Sequence, residues 1–332
     1  MPSFCRHNRL LQNCPICTRE QQVELRPVVS PGGQRAPSAG PSSSSTSSRA
    51  GTATTRTGAR ATNRLTVRKL ARGAEDGYRS PLVPGLRSGD DARRLAEELA
   101  FAATRLATLA SDPPGLYAEV ADAARPLEER TWLALLIAYL GPLDGEDPFA
   151  AISEARTTWE SGELPELGGV ITGPRTAYVP SRGQRTLEAY RAWAGRAGSQ
   201  AAAFNGEAAW TPERRFDRVY ERLALPGFER AARFDLLTTL GRLGVYELGA
   251  QSLHFGGSDE VTLAAKRVLG IGDSLLLERR AADLAAACEL PIAALDLGLY
   301  NWERGSRTTA GMGAADEPDE ALLAAARGGL GV

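Results

Sequence analysis

The chain has 332 residues, 24% of them charged and 43% hydrophobic, with a mean hydropathy of −0.24 and a net charge of −1. No apolar run reaches the ~20 residues that cross a bilayer, and no charged n-region followed by an apolar h-region opens the chain. These features argue against a membrane-spanning or secreted protein and lead us to expect a cytoplasmic one.

The balanced charge conceals an asymmetry. Residues 1–74 carry 12 basic side chains against Glu20 and Glu24, a net +10, whereas the remainder carries −11. A basic arm on a mildly acidic body suits an anionic partner, nucleic acid first. A solvated linker in an arginine-favouring chain accounts for the same composition, since Lys69 and Lys266 are the only lysines.

Residues 1–25 hold Cys5, His7, Cys14 and Cys17, in the pattern C-x-H, six residues, C-P-x-C. That is the ligand set of a tetrahedral zinc site, in which Pro15 stiffens the C-x-x-C turn. The segment has too few apolar residues to fold alone, so a structural Zn2+ would supply its order. A tail with incidental thiols is the alternative. The fourth cysteine, Cys288, lies far away in a helical pattern and reads as a small buried hydrophobe rather than a disulfide partner. Residues 26–87 form the expected disordered basic linker, with a Ser-, Thr-, Gly-, Pro- and Arg-rich composition over 26–73 that cannot bury enough surface to offset chain entropy.

From 88 to 302 the periodicity predicts an all-α body. Ser88 or Asp90 caps a helix over 92–109. Residues 127–140 are apolar nearly all round in their second half, as in a central core helix, and Trp132 and Tyr139 fit core packing better than base stacking. A short helix follows Pro148. The Gly/Pro-rich stretch 161–183 reads as a loop or extended excursion, and its Arg175, Arg182 and Arg185 suit either phosphate clamping or a solvated loop. Helix resumes over 184–197. Thr211-Pro212-Glu213 starts a helix that runs to Leu225-Pro226-Gly227-Phe228. A second spans about 229–243, Asp259 heads a third over 261–269, and Asp273 caps a fourth. His254 reads as a surface residue. Residues 303–332 form a tail in which 318–327 could be helical.

The sequence of helix, Leu-Pro-Gly turn, helix and acid-headed helix ending in Lys266-Arg267-Val268-Leu269-Gly270 resembles the helix-hairpin-helix DNA glycosylase superfamily. Trp132 to Tyr139, Gly173-Pro174-Arg175 and the stretch from Trp210 to Phe228 are similar to one offshoot, the alpha-glutamyl/putrescinyl thymine pyrophosphorylase clade 3 family. The likeness covers roughly residues 90–302. It implies a glycosylase-like helical fold whose hairpin, Leu225, Pro226, Gly227 and Phe228, grips a DNA phosphate, often through a bound monovalent cation. It also implies Asp259 as the catalytic acid, with Arg267 near the end of its helix. The implied chemistry replaces the diphosphate of a pyrophosphorylated hydroxymethylpyrimidine with an amine. Glycosidic cleavage of a modified base, and a non-catalytic zinc-containing nucleic-acid adaptor, are the alternatives.

Two departures stand out. Glu229 occupies the position of the second hairpin glycine, and Asp259 lies about one turn further from Arg267 than the superfamily spacing. Asp259 could therefore be a helix cap alone. Lys266 and Arg267 together suit a nucleophile with an assisting cation, a phosphate contact, or a solvated face; Arg175 joins Arg267 among the phosphate candidates.

Overall fold

The computed structural model describes residues 73–313 and 317–332, all within one unit, Thr66–Val332. The four proposed zinc ligands and most of the expected linker lie outside the described residues. Among the described residues the regular structure is helical, with no strand. The helices are α1 (Gly89–Ser111), α2 (Leu116–Ala121), α3 (Leu127–Leu140), α4 (Ala150–Ala155), α5 (Gly183–Arg196) and α6 (Gln200–Asn205). They continue as α7 (Pro212–Arg222), α8 (Arg230–Arg242), α9 (Glu260–Leu269), α10 (Ser274–Ala287), α11 (Ala294–Arg304) and α12 (Glu320–Leu330).

Local chemistry sets these boundaries. Ser88 caps α1 by accepting from the Asp90 amide, and Thr211 caps α7 ahead of Pro212. Asp259 and Asp273 do the same for α9 and α10, while Gly270 ends α9 in the left-handed conformation. Every residue of α3 from Arg130 to Leu140 is buried, Trp132 and Tyr139 among them. This helix is the hub that its lack of a polar face predicts: α2, α6 and α8 pack on it. A second layer joins α1 to α11 and α12, and α11 to α9. Gly298 makes the α1–α11 approach possible, because a Cβ there would stand 3.0 Å from the Leu99 Cα and 3.1 Å from the Glu98 carbonyl oxygen.

The folded body begins earlier than composition suggested. Val83 and Leu86 are buried, and the Gly85 amide donates to the Val268 carbonyl at the end of α9 (3.0 Å). Two apolar residues amid Pro and Gly are a weak signal, yet they plug the gap beside α9. Residues beyond 303 also join the body, through α12 against α1 and the Tyr78 hydroxyl donating to the Leu330 carbonyl (2.6 Å). The stretch 161–182 is irregular, held by amides that donate to the end of α3. Cys288 is fully buried, and burial pushes its thiol up to about 11, out of reach of thiolate chemistry at neutral pH.

Candidate functional site

The 225–228 elbow packs on the head of α5. Phe228 is buried with its ring 6.2 Å from that of Tyr139. The Phe228 amide donates to the Leu225 carbonyl (3.0 Å), and the Thr186 hydroxyl donates to the Pro226 carbonyl (2.9 Å). Gly227 sits at φ +77°, and a Cβ there would come 2.4 Å from the Thr186 oxygen. Both the conformation and the space therefore require glycine. Pro226 and Glu229 face solvent, so the elbow is not sealed inside the protein.

Arg182 stands beside this turn, its Cβ 3.9 Å from where a Gly227 Cβ would lie. Arg182 and Arg185 are exposed, and among the described residues no carboxylate pairs with either. Arg175 does something else. It is buried, with its guanidinium on Asp296 (2.5 Å), 3.6 Å from Asp235, and over the Tyr300 ring at 4.6 Å. A side chain so enclosed is not available to clamp DNA, which corrects the sequence-based expectation; the loop turns inward because Asp296 waits in the core.

Asp296 is the centre of the arrangement. It lies in the first turn of α11 and is 2% exposed, between Arg175 and Arg230. Arg230 opens α8 immediately after the elbow. Its Nη2 donates to Asp296, its Nη1 to the Leu253 carbonyl (2.7 Å), and its Nε to Asp259 (3.1 Å). Burial works against the charge on Asp296, but Arg230 and Arg175 together outweigh it and hold the carboxyl below its ordinary range. Burial likewise opposes the Arg175 charge, and Asp235 and Asp296 overcome it. Three carboxylates (Asp235, Asp259, Asp296) against two guanidiniums leave the group one negative charge in excess.

Asp259 is both a helix cap and part of this chain of charges. One oxygen accepts from the Thr262 amide (3.2 Å) and Arg230; the other accepts from the Thr262 hydroxyl (2.6 Å). A carboxylate has roughly four acceptor positions; three are used, and the side chain keeps 23% of its surface in solvent. Arg230 thus ties the elbow to the Asp259 carboxylate.

The other predicted residues are not brought there. Lys266 lies seven residues further along α9, an axial distance of about 10 Å at 1.5 Å per residue. Arg267 pairs with Glu303 and lines a cleft of about 250 Å³ with Arg87, Arg94 and Trp302, which neither Asp259 nor the elbow borders. His254 is not a free surface residue. It is half-buried at φ +51°, stacked on Tyr220 with ring centres 3.9 Å apart, its Nε2 3.0 Å from Asp217. Burial lowers its pKa more than Asp217 raises it.

Arg230, Asp235 and Asp296 were not singled out from sequence. Asp296 did leave a signal, a lone acid in the otherwise apolar start of α11; Arg230, one arginine among many, left none.

No curated protein and no solved structure matches the chain. Residues 177–306 match the model of the family described as alpha-glutamyl/putrescinyl thymine pyrophosphorylase clade 3. The match takes in the elbow, Arg230, Asp259 and Asp296, with Arg175 just outside it, and over this stretch the chain is similar to that family.

Proposed function

We propose that the protein is a DNA base-modifying enzyme that replaces the diphosphate of a hydroxymethyl-derived pyrimidine with an amine, on a helix-hairpin-helix glycosylase-like scaffold. The observation that carries this reading is Arg230: it opens α8 one residue beyond the half-exposed Leu225–Phe228 elbow and donates to Asp259 at the head of α9, the next helix in sequence. A phosphate grip and a partly solvated carboxylate are thereby fixed to one element. The Gly227 amide, with or without a monovalent cation, and the exposed Arg182 and Arg185 hold the DNA backbone; Pro226 has no N–H, and the Leu225 and Phe228 amides already donate within the turn. The base must leave the stack to be reached. Asp259, with its remaining acceptor position, stabilises positive charge that develops as diphosphate departs, or takes the proton released by the entering amine.

The test is conversion of duplex DNA carrying pyrophosphorylated hydroxymethylpyrimidine by purified protein with an added amine, followed by mass spectrometry of the nucleosides. An amine-bearing pyrimidine with release of diphosphate is expected. Base loss would instead mark glycosidic cleavage, and an unchanged base on bound DNA would leave only a binding protein.

Arg182→Ala/Arg185→Ala is expected to weaken DNA binding uniformly across sequences and to make the salt dependence shallower by about one to two units of slope. Titrations at several salt concentrations check this; an unchanged slope removes these arginines from the backbone contact.

Cys5, His7, Cys14 and Cys17 bind a structural Zn2+ in this reading, and the basic arm adds sequence-tolerant affinity for DNA. Elemental analysis is expected to find one zinc per chain, lost in Cys14→Ser while Cys288→Ser retains it.

A further inference from the structure

Large apolar side chains are seldom left bare on a folded surface without a purpose when they cluster. At the head of α10, Leu275 is 81% and Leu276 52% exposed, and Leu263 on the adjoining α9 is 39% exposed. The pair is rigidly presented. Asp273 caps the helix by accepting from the Leu276 amide (3.0 Å), and the next residue, Leu277, is fully buried and anchors the turn.

Cations follow the pair along α10 and precede it at the end of α9. Arg279 and Arg280 follow Leu275 and Leu276 by four residues and so share their faces of α10. Lys266 and Arg267 occupy the last turn of α9, which a four-residue connection joins to α10. Of the acids here, Glu278 is turned inward to the Leu253 and Phe255 amides and Asp273 is engaged as the cap, leaving Asp283. Among the described residues no carboxylate pairs with Lys266, Arg279 or Arg280. Leu263 stands one turn beyond Asp259 on α9, which packs against α10.

Bare leucines that share their helix faces with unpaired cations complement a polyanion with an apolar, stacked interior. We propose that Leu275 and Leu276 form a wedge that enters the DNA base stack beside the extruded nucleotide, with Lys266, Arg279 and Arg280 on the flanking phosphates. This rests on the reading of the chain as a DNA-acting enzyme. An apolar wedge of this kind offsets the cost of unstacking a base step.

The experiment uses the full chain and a duplex carrying 2-aminopurine next to the hydroxymethylpyrimidine. Wild-type protein is expected to raise the fluorescence of the probe as stacking is lost. Leu275→Ala/Leu276→Ala, whose exposed helical positions tolerate alanine, is expected to abolish that rise and to weaken duplex binding about tenfold, near the effect of losing roughly one buried leucine. Leu275→Met/Leu276→Met is expected to restore both. Wild-type-like fluorescence and affinity in the alanine variant overturn the wedge while leaving the DNA-acting reading intact. Loss of a dimer in that variant, by size-exclusion chromatography with DNA binding unchanged, also overturns it and marks a self-association face. Failure of the wild-type chain to bind duplex at all removes both readings.

Discussion

Asp296→Ala is expected to lower the melting temperature of the body by roughly 10 °C. The substitution removes the carboxylate that Arg175 and Arg230 share in the core and leaves Arg175 only Asp235, at 3.6 Å, and Arg230 only Asp259, at 3.1 Å. Breaking a buried pair in this way costs about 3–5 kcal/mol, because each guanidinium, already stripped of water, loses its nearest carboxylate and keeps only a more distant one. For a body of this size each kcal/mol moves the midpoint by about 2–4 °C. The same carboxylate gives stability a pH dependence of definite sign. Its folded pKa is depressed, so the native state binds fewer protons than the unfolded chain near the ordinary aspartate value of about 3.9. The contribution is fully present above that value and is lost as pH falls through the lower, folded one. Thermal melts of wild type and variant should therefore differ most at neutral pH and converge in acid; a constant difference down to that range would exclude Asp296 as the titrating anchor.

Asp259→Asn is expected to separate chemistry from folding. Asparagine caps helices about as well as aspartate, and its oxygen can still accept from the Thr262 amide. Stability should change little beside the loss in Asp296→Ala. What disappears is the negative charge that the proposed mechanism places at the reacting carbon, and loss of one preorganised electrostatic contact costs about 10²–10³ in turnover. Amine incorporation measured by nucleoside mass spectrometry is expected to fall by that factor, with DNA affinity retained because elbow, Arg182 and Arg185 are untouched. Turnover within a few-fold of wild type would reduce Asp259 to a helix cap.

Much of the architecture follows from short-range rules. The all-helical class, the span of the core helix through Trp132 and Tyr139, the Thr211 start and the Asp259 and Asp273 caps can all be read from spacing and end residues, because those signals are local. What sequence could not supply was long-range. Nothing near Arg175 announces that Asp296, 121 residues away, will meet it. Composition made Val83 and Leu86 part of a linker, although the gap that they fill exists only once α9 is in place. The elbow and Asp259 were singled out from motif, while Arg230, the residue joining them, became visible only through three directed hydrogen bonds.

The hydrogen bond from Tyr78 to the carbonyl of Leu330 has a topological consequence. It brings the point where the body's chain enters alongside the point where it ends, so the body is close to a ring. Such a ring can be cut elsewhere and rejoined: a short bridge from residue 332 to the entry segment, with new termini opened in the irregular 161–171 stretch, would preserve every helix. The order in which the helices leave a ribosome is thus a separable property of this molecule from the arrangement that they reach.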